Sequence, residues 1–336
     1  MTHVPRSVLD WLLEREDPGV RLFALQDLLG APADDPEVRA ARRLTVRRPP
    51  VGPILDAMRP EGFWVKPGPG YAPKYTGTVW QVIFLGQFGA DGEDRRVRRA
   101  AEYVLGHSRS SLGGFSATGA PGGMIHCLQG NLAASLLELG LGHDPRLQQA
   151  LDWLAHSVTG EGIAPASSKA EVRYYRSGNS GPGFRCAANN HKPCAWGAVP
   201  ALDALSRVPS RSRTAAMRRA IASGTEFLLS CDPARSNYPM GYAKKPSGSW
   251  FRFGYPMGYV TDVLRNAEVL VALGKGRDQR LRNLARLILS KRDAEGRWSL
   301  EYSYQGKTWF HLGAKRAPSK WVTLRALRAL KGMGVE

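Results

Sequence analysis

Apolar residues recur along this chain in two kinds of helical pattern. In TGTVWQVIFLGQFG (76–89), CLQGNLAASLLELG (127–140) and GYVTDVLRNAEVLVALG (258–274) they run nearly all round the helix and mix with small residues. CAWGAVPALDALSR (194–207) and SKWVTLRALRALKGMG (319–334) follow the same style. A helix that is apolar on every side has to be covered on every side. In GEDRRVRRAAEYVLGHSRSSLGGF (92–115), GHDPRLQQALDWLAHSVTGEGI (142–163) and GRDQRLRNLARLILSKRDAEGRW (276–298), one apolar stripe backs a charged face, as expected of a helix at a surface. SRTAAMRRAIASGTEFLLS (212–230) belongs with this second group.

Three of the half-buried helices share a grammar. Each opens Gly-x-Asp-x-Arg-Val/Leu and ends in a Gly-containing turn closed by an aromatic or apolar residue about 20 residues after the Asp. Asp94, Asp144 and Asp278 stand where a side-chain oxygen can accept from the free N–H groups of a first helical turn. Buried and half-buried helices alternating at a period of about 50 to 67 residues predict stacked helix pairs. The fold class is therefore all-α, built as an open solenoid or a closed ring. Residues 1–48 read as a short HEAT-like helical cap ahead of the array at 49–336. Gly/Ser/Pro-rich inserts at 159–185 and 236–256 interrupt the array, and loops of that length in compact domains are usually functional or unstructured.

Composition narrows the classes. Hydrophobic residues make up 43% of the 336, yet no apolar run reaches the length of a membrane span. The opening MTHVPRSVLDWLLERED turns acidic before any apolar segment forms, which is unlike a signal peptide and makes the cytoplasm the default expectation. Lys and Arg outnumber Asp and Glu by 47 to 29, a net charge of +18. Such a field attracts anions: an anionic small molecule, nucleic acid, or an anionic membrane surface touched peripherally. There is no nucleotide-cofactor motif. Four cysteines are too few for a disulfide scaffold in a chain this long.

The candidate chemistry sits at the starts of the inner helices. Cys127 and Cys194 each open one, so parallel helices in a ring would bring both thiols to the same end. Cys186 and His191 precede Cys194 on a loop rich in Asn and small residues. Together Cys127, Cys186, His191 and Cys194 form a candidate Cys₃His zinc (Zn²⁺) site; the competing reading is of thiols that merely pack in a helical core. Cys231 reads as a packing residue. Trp80, Trp196, Tyr259 and Trp321 place an aromatic ring near four inner-helix starts, where they would line a substrate pocket or pack between the helix layers. Lys244, Lys245 and Arg252 in KKPSGSWFRF, with Lys315, Arg316, Lys320 and Arg325 in GAKRAPSKWVTLRAL, interleave basic and aromatic residues as an anionic ligand or a single-stranded nucleic acid would require. EVRYYRSGNSGPGFR (171–185) reads as a lid over the same mouth. Asp262 and Arg265, one turn apart, are candidates for a catalytic acid and its anion contact, or for a buried bridge.

The order inner helix, outer helix, Gly-x-Trp/Phe turn, seen in DAEGRWSLE (293–301) and SLGGFSA (111–117), resembles the repeat of the prenyltransferase and squalene-cyclase superfamily over roughly residues 50 to 336. The resemblance implies an (α/α) toroid with a cavity at one end of the inner ring. It also implies an enzyme, a transferase or cyclase acting on an anionic substrate, with an isoprenoid diphosphate among the candidates. The Asp-x-Asp-Asp acid of the class II cyclases has no counterpart; the nearest spellings are Ala33-Asp34-Asp35 and the single Asp262. The Asp-x-Cys zinc pair of prenyltransferase β subunits and the Cys-His pair of the lanthionine cyclases are also absent, although zinc-thiolate chemistry of the latter kind stays open. A non-catalytic helical module binding nucleic acid or protein is the alternative.

Overall fold

A computed structural model describes residues 4–161 and 179–335. The chain is all-α. Its helices are α1 (Arg6–Leu12), α2 (Pro18–Phe23, continued by one π turn, Ala24–Leu28), α3 (Pro36–Thr45) and α4 (Val51–Asp56). They continue with α5 (Thr78–Gln87), α6 (Arg95–His107), α7 (His126–Glu138), α8 (Pro145–Thr159) and α9 (Ala195–Arg207). The last are α10 (Ala215–Leu228), α11 (Val263–Ala272), α12 (Arg282–Leu289) and α13 (Lys320–Met333). A two-stranded hairpin, β1 (Arg185–Cys186) and β2 (Lys192–Pro193), leads into α9.

Six helices form an inner ring in the order α2, α5, α7, α9, α11, α13, with each neighbour in contact. The nearly all-apolar helices of the sequence are five of them, and the Asp-x-Arg helices α6 and α8 cover them from outside. The closest seam is α7 on α9, where a Cβ on Gly130 would stand 2.1 Å from the Pro200 carbonyl carbon. The remaining seam is closed by α2: a Cβ on Gly19 would meet the Phe88 carbonyl oxygen at 2.6 Å and the Trp321 ring at 2.9 Å. Where the sequence suggested a cap set ahead of the array, the N-terminal segment thus supplies a stave of the ring, and Val8, Leu12, Val20 and Ala24 belong to the same core as the inner helices.

The Asp-x-Arg grammar acquires a physical meaning here. Asp94, Asp144 and Asp278 cap their helices, accepting from the N–H of Arg96, Arg146 and Arg280 respectively. Each arginine also folds back on its own aspartate and reaches an acid of the preceding outer segment. Arg146 meets Glu102 at 2.5 Å, Arg280 meets Glu226 at 3.3 Å, and Arg96 meets Asp56 at 3.5 Å. The repeat therefore encodes a clip that ties one outer segment to the next.

The inner helices are not in register. α5, α7 and α9 align end to end, with Glu138 near the end of α7 paired to Arg207 near the end of α9. On the other side, Arg265 in the first turn of α11 pairs with Asp203 in the last half of α9, and Trp321 at the start of α13 packs on Phe88 at the end of α5. Half of the ring is thus shifted along the axis relative to the other half.

Candidate functional site: a charged cavity beneath a filled ring

The lumen on the side of the α5, α7 and α9 N-termini is occupied by the chain itself. Residues 253–258 pass inside the ring and bond to several staves. Gln87 exchanges two hydrogen bonds with the backbone of Met257, both 2.7 Å, and Asn131 donates to the Gly258 carbonyl at 2.8 Å. Arg325 donates to the Gly254 carbonyl at 2.5 Å. Tyr304, whose hydroxyl accepts from Gly258 N–H at 3.0 Å, packs on Tyr75 and Phe84, and Phe310 packs on Phe84 and Phe88. Burial pushes the Tyr75 and Tyr304 phenols well above their ordinary range.

Below this plug lies a cavity of about 360 Å³. Its largest apolar side chains are Phe23, Tyr255, Trp321 and Leu324, and beside small and amide residues of α2, α5 and α7 the rest of the wall is charged. Two chains of alternating charge run along it. The first is Arg42–Glu138–Arg207–Asp203–Arg265, with contacts of 3.6 Å for Arg42 to Glu138, 2.9 Å for Glu138 to Arg207 and 3.2 Å for Arg207 to Asp203, closed by the Asp203–Arg265 pair. The second is Asp262–Arg325–Glu268–Arg328–Asp27, at 3.1, 2.8, 3.5 and 2.6 Å. The first chain carries three guanidiniums and two carboxylates, the second two and three. Five arginines reach the cavity wall against three carboxylates, Asp27, Glu138 and Glu268, because Asp203 and Asp262 stand behind it. Burial opposes ionisation of Asp203, but Arg207 and Arg265 prevail and hold its carboxyl below the usual range.

The Asp262 and Arg265 side chains do not pair with each other. Asp262 caps α11, accepting from Arg265 N–H at 2.7 Å and from Gly254 N–H at 3.2 Å, and its ion pair is with Arg325. All of these contacts are donors, so Asp262 serves here as a hydrogen-bond acceptor. The Arg265 side chain reaches instead across the seam to Asp203. The pair expected from i, i+3 spacing is replaced by two cross-ring pairs because the stagger brings α9 and α13 to the level of the first turns of α11.

The other expected site residues separate into three places. Trp321 and Arg325 line the charged cavity. Trp196, Lys245 and Cys194 line a second pocket of about 210 Å³, between the start of α9 and the segment 236–250. Tyr259 lies at the plugged mouth, 6.4 Å from Tyr75, with the Lys74 ammonium 4.4 Å above its ring. Trp80, also at that mouth, is buried and donates to the Tyr71 carbonyl at 2.7 Å. Lys320 points away, pairing with Glu14 and Asp17; Lys244 and Arg252 are exposed outside both cavities. Most of the expected lid at 171–185 lies outside the described residues.

The cysteines do draw together. Cys186 and Cys194 share a thiol–thiol hydrogen bond, which, with N–H groups of Ala188 and Asn189, brings the Cys186 thiol down to about 6 against the opposing effect of burial. Burial lifts Cys127, nearby, to about 12. His191 does not join them; it sits exposed in a left-handed turn at φ 55°. Among the described residues no three His, Cys, Asp or Glu side chains are grouped so as to hold a metal ion, so the tetrahedron expected from sequence finds no fit here. Cys231, half-buried, packs against the main core.

Sequence reasoning passed over Arg42, Arg207, Arg328, Glu138, Glu268, Asp27 and Asp203. A signal was present for most of them: Glu138 in SLLELG, Asp203 and Arg207 in ALDALSR, Glu268 in RNAEVLVAL and Arg328 in LRALRAL are charges on helices otherwise apolar all round. Such charges must meet one another or a cavity.

Searches with the sequence found no matching family model and no matching curated protein. Among solved structures, the chain is similar to MstE, a type II terpene cyclase from Scytonema solved with its substrate geranylgeranyl dihydroxybenzoate. The TM-score is 0.37 at 12% identity, over 98% of this chain and 99% of that one. The same enzyme with the product merosterolic acid A gives the same values. A protein from Actinoplanes is similar with a TM-score of 0.33 at 16% identity, over 87% of this chain and 99% of the other.

Proposed function

We propose that the protein binds a small molecule bearing a carboxylate or phosphate in the cavity at the centre of its helical ring. The observation that carries this reading is the convergence of five guanidiniums on one cavity at the middle of an otherwise apolar array. Guanidiniums present forked N–H donors matched to carboxylate and phosphate oxygens. The Arg42–Arg207–Arg265 chain, with its excess positive charge, receives the acidic group. Glu138 and Asp203 hold those guanidiniums in place, and Phe23, Tyr255 and Trp321 receive the remainder of the ligand. A diphosphate head group, as the resemblance to prenyltransferases and cyclases implies, has the right chemistry for this arc. A long isoprenoid tail has no room above it, where residues 253–258, Tyr304 and Phe310 fill the lumen, so the reading favours a short ligand.

Calorimetric titration with inorganic phosphate, inorganic diphosphate and succinate tests the proposal. At least one should bind the native protein, and Arg42→Gln and Arg207→Gln should each weaken it by about tenfold or more, as loss of a charge-assisted hydrogen bond implies. Lys244→Gln, which removes an equal charge outside the cavity, should leave the affinity unchanged. Absence of binding by all three probes, or an equal loss in Lys244→Gln, defeats the reading; thermal melts confirm that the variants are folded.

A further inference from the structure

The hairpin before α9 carries two of the four cysteines on one side of its ladder. Cys186 pairs with Lys192 in the antiparallel register, and the ladder runs on to Cys194, whose N–H donates to the Phe184 carbonyl at 2.9 Å. Cys194 therefore lies two residues beyond the partner of Cys186, the diagonal position whose side chain shares its face. The two sulfurs are hydrogen-bonded to each other. One of them opens onto a cavity: Cys194 lines the 210 Å³ pocket beside Trp196, Tyr238 and Trp250, while Cys186 lies behind it, only 9% exposed. The same hairpin holds the far wall of that pocket. The Asn189 side chain donates to the Pro239 carbonyl at 2.9 Å and accepts from Gly241 N–H at 2.9 Å, and Lys192 donates to the Met240 carbonyl at 3.1 Å.

We propose that Cys186 and Cys194 are a reversible dithiol, closed to a disulfide by a low-molecular-weight disulfide that enters the pocket lined by Cys194, Trp196 and Trp250. After the pair's first ionisation the remaining proton rests on Cys194, which donates it to the Cys186 sulfur, and it passes across that hydrogen bond to Cys186 as Cys194 attacks. Cys194 sulfur, the one on the pocket, attacks one sulfur of the small disulfide RSSR; a Cys194–SR bond forms, the S–S bond of RSSR breaks, and RS⁻ leaves. The departing thiolate takes the proton held on Cys186. Cys186 thiolate then attacks Cys194 sulfur, forming the protein disulfide and expelling the second RS⁻, which is protonated by solvent using the proton released in the pair's first ionisation. The balance is two protein thiols and RSSR to one protein disulfide and two RSH, with the protein oxidised and the small disulfide reduced. Closing the hairpin rigidifies the frame that carries Asn189, and with it the 239–241 wall of the pocket.

Incubation of the native protein with oxidised glutathione, followed by acid quenching, alkylation of free thiols and peptide mass mapping, reads the outcome directly. The expected product lacks two of the four free thiols, joins residues 186 and 194, reverts with dithiothreitol and shows slowed amide exchange at Gly241. Cys186→Ser should stop at the first step and accumulate glutathione on Cys194; Cys127→Ser should close normally. The proposal is overturned if the native protein keeps all four thiols, if Cys127 takes the place of either partner, if the mixed disulfide persists with Cys186 present, or if closure appears only in denaturant.

Discussion

Trp64 and Trp298 occupy equivalent places near opposite ends of the chain. Each is fully buried, each donates its indole N–H to the carbonyl of a residue ten positions earlier (Ile54 and Ile288, at 2.8 and 2.7 Å), and each has its backbone N–H bound by a threonine of the following inner helix, Thr78 and Thr323. The Gly-Arg-Trp turn was legible in the repeat, and Gly62-Phe63-Trp64 follows the same spelling; at these two corners the tryptophan combines a large apolar body with a donor. Trp298→Phe keeps the ring but orphans the Ile288 carbonyl and shrinks the core, and should lower the unfolding free energy by about 2–3 kcal/mol in denaturant titration. The Asp caps act at the same scale. Arg280 hydrogen bonds hold the Asp278 carboxyl at about 2, against an ordinary 3.8. A carboxyl depressed on folding stabilises above its unfolded value and loses that contribution as pH falls through the folded one. Asp278→Asn retains a capping oxygen without the charge. The native protein should therefore exceed it in stability by about 0.5 kcal/mol at neutral pH, with the difference vanishing as pH falls from about 4 to 2. A difference constant across that range would show that the charge contributes nothing.

At the scale of elements, the five all-round apolar helices were legible as buried staves because their periodicity left no face for water. Their relative height was not. Hydrophobic pattern fixes which face of a helix is covered but carries no term for sliding along a neighbour, and the sliding is what gives the Asp262 carboxylate to the Arg325 guanidinium and the Arg265 guanidinium to Asp203. Parallel staves with level ends would have gathered Trp80, Trp196, Tyr259 and Trp321 at one mouth; the shifted half-ring sends Trp321 to the charged cavity instead. The α7–α9 seam shows how height is fixed, by backbone against backbone at Gly130 and Pro200. Gly130→Val would force these helices apart and should lower the melting temperature by several degrees or prevent folding, whereas Gly106→Val, at a helical position with open space around it, should have a far smaller effect.

For the whole molecule, the all-α class and the alternation of inner and outer layers were legible over most of the chain, while closure was not. The N-terminal helices lack the Asp-x-Arg opening and the Trp turn of the array, so nothing in their pattern marks α2 as the stave between α13 and α5. Nor could local pattern announce that residues 253–258, spelled FGYPMG like an exposed turn, would pass through the centre. That segment makes the ring a winding on its own bobbin. The volume at the axis is decided by one connection between helices, not by the helices, which touch one another outside it. Shortening or lengthening that connection would reset the bore while leaving the wall as it stands, so chains with this same wall can differ from solid spool to hollow vessel through a handful of residues.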